Sequence, residues 1–198
     1  NGESLPDVTV KGISCNSREV GPGYIFVAIS GTHVDGHRYI HEAVTKGASA
    51  VFYGNSQRIQ QHYPGVALFG VDDTRLALAQ LAAEFYGHPS TRLKVIGITG
   101  TNGKTTVSYL LEALLKENGK NPAVIGTVNY RYGQKILSAK NTTPGPLELQ
   151  PMLADMLDDG IEYVAMEVSS HALDQKRTEG IRFHSAIFTN LTQDHLDY

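Results

Sequence analysis

The stretch VIGITGTNGKTT, Val95 to Thr106, is an apolar run that passes through three glycines into a lysine and two threonines. Glycines let a backbone approach an anion closely, and a helix N-terminus favours negative charge beside it. In such a loop Lys104 reaches β- and γ-phosphates and the Thr105 hydroxyl suits Mg2+. The generic pattern wants a glycine where Ile98 stands, so the match is to the variant T-G-T-N-G-K-T. Gly100, Thr101, Asn102, Gly103, Lys104, Thr105 and Thr106 are therefore the candidate ATP contacts. A glycine-rich turn with a surface lysine is the competing reading. The order strand, loop, Gly-Lys-Thr, helix favours the phosphate loop.

A nucleotide loop needs an acid to hold its metal, and IEYVAMEV supplies Glu167 at the end of an apolar strand. Parallel sheets present ligands at the carboxyl ends of their strands, so Glu167 is expected to face the phosphates. The next strand runs into TNLTQDHLD, which brings Asp194 and His195 to the same edge. Asp194 could equally cap a helix, and His195 alone would read as a loop histidine. Beside a phosphate-loop strand both become candidate metal groups. The candidates are thus Lys104, Glu167 and His195 for catalysis, with Thr105, Glu167 and His195 for metal. His171, just past Glu167, either orients the loop or simply packs. The absence of an N-K-x-D tract argues against a guanine-reading GTPase.

Strand and helix patterns alternate around these residues. YIFVAIS, AVFY and VALFGV read as strands. Over 36–49 the pattern predicts a helix with Tyr39, Ile40, Ala43 and Val44 on one face, ended by Gly47. A second helix packs Leu78, Leu81, Ala82 and Phe85 inward. The polar GHPSTR, 87–92, marks a boundary between domains at 1–90 and 91–198. Beyond it come the strand LKVIGIT and a helix with Val107, Leu110, Leu111, Leu114 and Leu115 on one side. A hairpin around Gly133 follows, then a helix burying Leu149, Met152, Leu153, Met156 and Leu157. This is an α/β chain whose parallel sheet is covered on both faces.

The 198 residues carry a net charge of −3, too acidic for backbone-driven nucleic-acid binding, and no run long enough to span a bilayer. The single cysteine, Cys15, excludes an internal disulfide and reads as a small packed residue; a cytoplasmic location fits. Neither nucleic acid nor a membrane is an expected partner, and a monomer is expected. The chain starts at Asn1 and stops at DHLDY, so it reads as a piece of something longer.

In their order, GTNGKTT, NTTP, EVSSHALDQKR and FTNLTQDHLDY resemble the Mur ligases of bacterial cell-wall synthesis. NSREVGPGYIFVAISGTHVDGHRYI narrows the likeness to the branch that adds a third residue to UDP-MurNAc-L-Ala-D-Glu. The resemblance implies an N-terminal α/β domain for the UDP-substrate and a truncated P-loop parallel-sheet ATPase domain. It implies ATP-dependent amide formation through an acyl phosphate, with Mg2+, ATP, UDP-MurNAc-dipeptide and a diamino acid (meso-diaminopimelate or L-lysine). By position, Ser17, Thr32, His33 and Val34 match residues that hold the UDP part. Asn141, Thr142 and Thr143 match the loop at the muramoyl-peptide end, with Ser169, Gln175 and Arg177 as further contacts. Helix capping by Thr142 and Thr143, or a solvated Arg177, would be the plainer alternatives. Gly145, between two prolines, departs from the family pattern. The family's carbamylated lysine and amino-acid domain are expected past Tyr198, so binding without ligation is expected of this piece. Another Mur ligase, a folylpolyglutamate synthetase-like enzyme and a non-catalytic ATP-binding module are the alternatives.

Overall fold

The computed structural model describes residues 9–31, 34–57, 59 and 61–192. Two compact units, Asn1–Leu81 and Ala82–Tyr198, make up the chain.

In the first unit four parallel strands run in spatial order β1 (Gly12–Ser14), β2 (Tyr24–Val27), β3 (Ala48–Gly54) and β4 (Ala67–Val71). Parallel neighbours require crossovers. The β2-to-β3 crossover contains a 3-10 turn, Gly36–Tyr39, whose His37 amide is held by the Asp35 carboxylate, and then α1 (Ile40–Thr45). The continuous helix expected over 36–49 is thus a 3-10 turn and a short α-helix, and Ala48 already belongs to β3. Ile40 and Ala43 join Phe26, Ala28 and Val51 in the core, whereas Tyr39 is largely exposed. A 3-10 turn stacks residues three apart, so Tyr39 is rotated off the face a true helix would give it.

Asp73 caps α2 (Thr74–Phe85) by accepting from the Arg75 and Leu76 amides. Leu78 and Ala82 are buried as expected, while Phe85, in the final turn, is exposed.

The second unit begins with β5 (Lys94–Thr99), α3 (Lys104–Glu117) and β6 (Pro122–Ile125). The hairpin β7 (Asn129–Tyr132) and β8 (Lys135–Ser138) follows, then α4 (Pro146–Asp158), β9 (Tyr163–Glu167), α5 (Ser170–Asp174) and β10 (Phe183–Phe188). Spatial order is β10-β5-β9-β6-β7-β8, the first four parallel and the hairpin antiparallel. Gly133, at φ 53°, makes the expected turn. On one face α4 buries Leu149, Met152, Leu153 and Met156 against Val95, Ile125, Val164 and Met166. On the other, Val107 and Leu111 of α3 meet Ile98, Val124 and Ala165. Cover on both faces fails at β10, most of whose side chains are exposed among the described residues.

Helix α3 departs from the apolar-stripe expectation. Leu110 and Leu114 are 59% and 62% exposed, while Ser108 and Glu112 are buried. Residues 104, 108 and 112 share one helix face, and polar partners inside the fold satisfy it. Both Glu112 carboxylate oxygens accept from Arg131 Nε at 3.1 Å, and Arg131 Nη2 adds another bond. Lys116 Nζ donates to Glu112 at 2.9 Å, and the Arg131 guanidinium lies 4.0 Å from the Tyr109 ring centre. Arg131 holds the Glu112 carboxyl below the ordinary glutamate range, against the opposing effect of burial.

A carboxylate held below its unfolded pKa stabilises the fold above that value and loses the contribution as pH falls through the folded one. Stability from this pair is therefore complete at neutral pH and lost in acid, below the ordinary glutamate range near 4.3. Arg131→Ala, which leaves Glu112 with Lys116 alone, is expected to cost about 2 kcal/mol in urea unfolding at pH 7. That deficit should shrink towards pH 3; a pH-independent deficit would show that the ion pair is not its source.

Candidate functional site

The loop between β5 and α3 is shaped by two glycines with positive φ. At Gly100 (φ +127°) a Cβ would also stand 2.2 Å from Thr189 Oγ1 and 2.8 Å from Asn190 O. Gly103 (φ 85°) caps α3 with no side-chain hydrogen bond, which leaves the first amides of the helix for an anion.

The segment just past β10 clamps this loop. Asn190 pairs its amide with the Asn102 backbone, accepting from the Asn102 N–H at 3.1 Å and donating to its carbonyl at 3.1 Å. Thr189 Oγ1 donates to Asn102 O at 2.7 Å, and the Thr101 N–H donates to Asn190 O at 3.0 Å. Thr101 Oγ1 both donates to Thr192 O and accepts its N–H. Lys104 Nζ donates to the carbonyls of Gly100 (2.6 Å) and Thr101 (2.9 Å).

Glu167 sits at the end of β9, level with Ile98 of β5, and is 1% exposed. Burying a carboxylate is costly unless donors meet it. Here the donors are hydroxyls: Thr105 at 3.1 Å and Thr127 at 2.9 Å to Oε2, and Ser108 at 3.4 Å to Oε1. Among the described residues no cationic side chain forms an ion pair with it. Gly126 makes room: a Cβ there would lie 2.3 Å from Glu167 Oε1.

The NTTP loop meets the same spot from the other side. Thr143 is fully buried, its hydroxyl donating to Glu167 O at 2.9 Å and accepting the Ser169 N–H at 3.1 Å. Arg177 Nη1 donates to Thr143 O at 3.0 Å, and its Nε and Nη2 both donate to Gln175 Oε1. Thr142 Oγ1 lies 3.0 Å from Thr127 Oγ1. Asn141 is held through its backbone by the Tyr130 hydroxyl, 2.6 Å from its carbonyl. The helix-capping alternative for the two threonines fails, because α4 is capped by Gly145 with no side-chain bond. The solvated alternative for Arg177 fails too. Ser169 is itself the cap of α5, accepting from the Ala172 N–H.

A cavity of about 250 Å3 lies against the loop, lined by Gly100, Thr101, Lys104, Ser169, Leu173 and Phe188 among others. A separate cavity of about 420 Å3 in the first unit is lined by Ser17, Arg18, Val34, Tyr39 and Arg75 among others. Ser17 is buried and its hydroxyl donates to Glu42 at 2.9 Å. Cys15 lines this cavity and is exposed, correcting the packed reading.

Lys104, Thr105, Glu167, Thr142, Thr143, Ser169, Gln175 and Arg177 therefore gather at one end of the second sheet. Thr32, His33, Asp194 and His195 lie outside the described residues. Among the described residues no three His, Cys, Asp or Glu side chains form a metal cage. One hydroxyl and one carboxylate suit Mg2+, which commonly completes its shell with water and phosphate. Sequence reasoning missed Ser108, Gly126, Thr127, Thr189 and Asn190. The signal for the last two was their place directly after a strand, inside the FTNLTQDHLDY tract.

Residues 98–198 match the family described as Mur ligase middle domain, and residues 9–86 match the Mur ligase family, catalytic domain. Among curated proteins, the UDP-N-acetylmuramoyl-L-alanyl-D-glutamate–2,6-diaminopimelate ligases of Geobacter metallireducens and Aquifex aeolicus are 47% and 49% identical, each over 96% of this chain. That of Listeria innocua is 46% identical over 100% of it. The chain spans only 36%, 38% and 39% of these relatives' lengths, respectively. A solved 2,6-diaminopimelate ligase superposes with a TM-score of 0.80 at 29% identity, over 94% of this chain and 37% of that one. The MurF ligase of Thermotoga maritima in complex with ADP gives 0.56 at 26% identity, over 97% and 40%. With a phosphate loop clamped as described, a buried acid beside it and both family regions matched in order, the chain belongs to the Mur ligase family.

Proposed function

We propose that this chain supplies the nucleotide-sugar and ATP sites of a ligase that joins 2,6-diaminopimelate to UDP-MurNAc-L-Ala-D-Glu. The observation that carries the proposal is the meeting of Thr105, Glu167 and the Thr142–Thr143 loop at the mouth of one phosphate loop. A triphosphate and a carboxylate nucleophile repel each other, so such a reaction depends on fixed positive charge and placement. The first unit, with Ser17 and Val34 on its cavity, is assigned to the UDP moiety, along with Thr32 and His33. The second is assigned to ATP and the peptide end. The Geobacter, Aquifex and Listeria relatives, all 2,6-diaminopimelate ligases, favour diaminopimelate over lysine.

In the proposed reaction the D-Glu side-chain carboxylate attacks the γ-phosphorus and ADP departs, leaving an acyl phosphate. The diaminopimelate amine then adds to the acyl carbon, loses a proton and expels phosphate. Lys104, leaving the carbonyls of Gly100 and Thr101, holds the β- and γ-phosphates. Asn141, Thr142, Thr143, Ser169, Gln175 and Arg177 hold the peptide end near them. Thr105 and Glu167 would hold Mg2+, which supplies charge neutralisation at the phosphates; His195 is assigned to a second such ion. Catalysis of this kind is mostly positioning and needs no protein nucleophile. A cytoplasmic, monomeric protein without nucleic-acid or membrane partners completes the reading. Among the described residues no helix is long and apolar enough to cross a membrane.

Thermal shift on the 198-residue chain tests the reading. UDP-MurNAc-dipeptide alone is expected to raise the melting temperature, with a smaller rise from ATP–Mg2+. A protein that responded to ATP–Mg2+ and ignored the UDP compound would instead be a nucleotide-binding module. Gly126→Ala is expected to displace the Glu167 carboxylate and abolish the ATP–Mg2+ shift, while the UDP-compound shift persists. In the full-length protein carrying this chain, Lys104→Ala should lower kcat at least roughly a hundredfold, as loss of a preorganised transition-state donor does.

A further inference from the structure

Thr127 belongs to none of the motifs in the sequence, yet it stands where the two halves of the site meet. Its Oγ1 lies 2.9 Å from Glu167 Oε2 and 3.0 Å from Thr142 Oγ1. A hydroxyl has one proton to give, and a carboxylate only accepts. The Thr127 proton is therefore committed to Glu167, and the Thr142 proton must point to Thr127. The result is an ordered chain, Thr142 to Thr127 to Glu167, joined at the same oxygen by Thr105. Hydrogen bonds in such a chain polarise one another. It also leaves Thr142 with only lone pairs to offer, so its hydroxyl meets a ligand as an acceptor from an N–H or O–H.

We infer that Thr127 is a positioning residue that couples the NTTP loop to the metal-side carboxylate. The inference rests on the proposed ligase function. Filling the peptide end fixes Thr142, which fixes Thr127, which orients Glu167 towards the metal. Neither Thr127 nor its role touches the reacting atoms directly.

Thr127→Val keeps the shape and removes the hydroxyl; Thr127→Ser keeps the hydroxyl. The half-saturating Mg2+ would be read by thermal shift in the presence of ATP, and the KM for UDP-MurNAc-dipeptide by steady-state kinetics, both on the full-length protein carrying this chain. Loss of a hydrogen bond to a charged group corresponds to roughly tenfold or more. Thr127→Val is expected to raise the half-saturating Mg2+ roughly tenfold and to raise the KM for the UDP-dipeptide with it. Thr127→Ser should keep both within about twofold, since it retains the donor. A valine variant in which only one of the two constants moves would overturn the coupling. So would a serine variant as impaired as valine, because that points to packing. A wild-type protein saturated by neither ligand would bring down the ligase reading and this inference with it.

Discussion

A buried carboxylate met, among the described residues, by hydroxyl donors alone is the constraint on which the second unit turns. Glu167 is withdrawn from water, and its partners Thr105, Ser108 and Thr127 reduce the cost of burial without neutralising the charge. That residual charge is what a divalent cation would meet, and the donors come from two separate parts of the chain. Thr105 and Ser108 lie on the first turns of α3, and Thr127 just past β6. The backbone of Glu167 is tied in turn to the NTTP loop through Thr143.

The sheet makes this convergence possible. β5 lies between β10 and β9, so its loop has a neighbour on each side. The β10 side contributes Thr189 and Asn190, which hold the loop's backbone, and Thr192, which holds the Thr101 hydroxyl; the β9 side contributes the acid. A phosphate loop between two parallel neighbours follows the rule that open α/β sheets bind ligands beyond their strands' carboxyl ends. The same packing accounts for α3: its inward face must serve both the acid and the hairpin, hence Ser108 and Glu112 inside and Leu110 and Leu114 outside.

What could be read beforehand was what local chemistry dictates. Gly100 and Gly103 announce the turn they make within a few residues of chain, and the place of Glu167 is marked by an apolar strand that ends in an acid. The hairpin at Gly133 and the inward face of α4 followed from spacing alone. Thr127 and Gly126 could not be found in this way, because nothing local requires a small residue or a hydroxyl there; the reason lies forty residues on, in Glu167. The α3 leucines misled for a related cause. An apolar stripe is read as the buried face by default, and only the distant Arg131 explains why a glutamate takes its place.

The Lys104 ammonium, folded onto the carbonyls of Gly100 and Thr101, has a consequence for which anions the loop will admit. An incoming ligand must replace two good acceptors already in place. A single small anion brings little beyond what it displaces. A chain of phosphates that also engages the helix amides and a cation offers enough simultaneous contacts to make the exchange favourable. In the proposed function the self-closed lysine would thus act as a threshold, discriminating by valency rather than by shape.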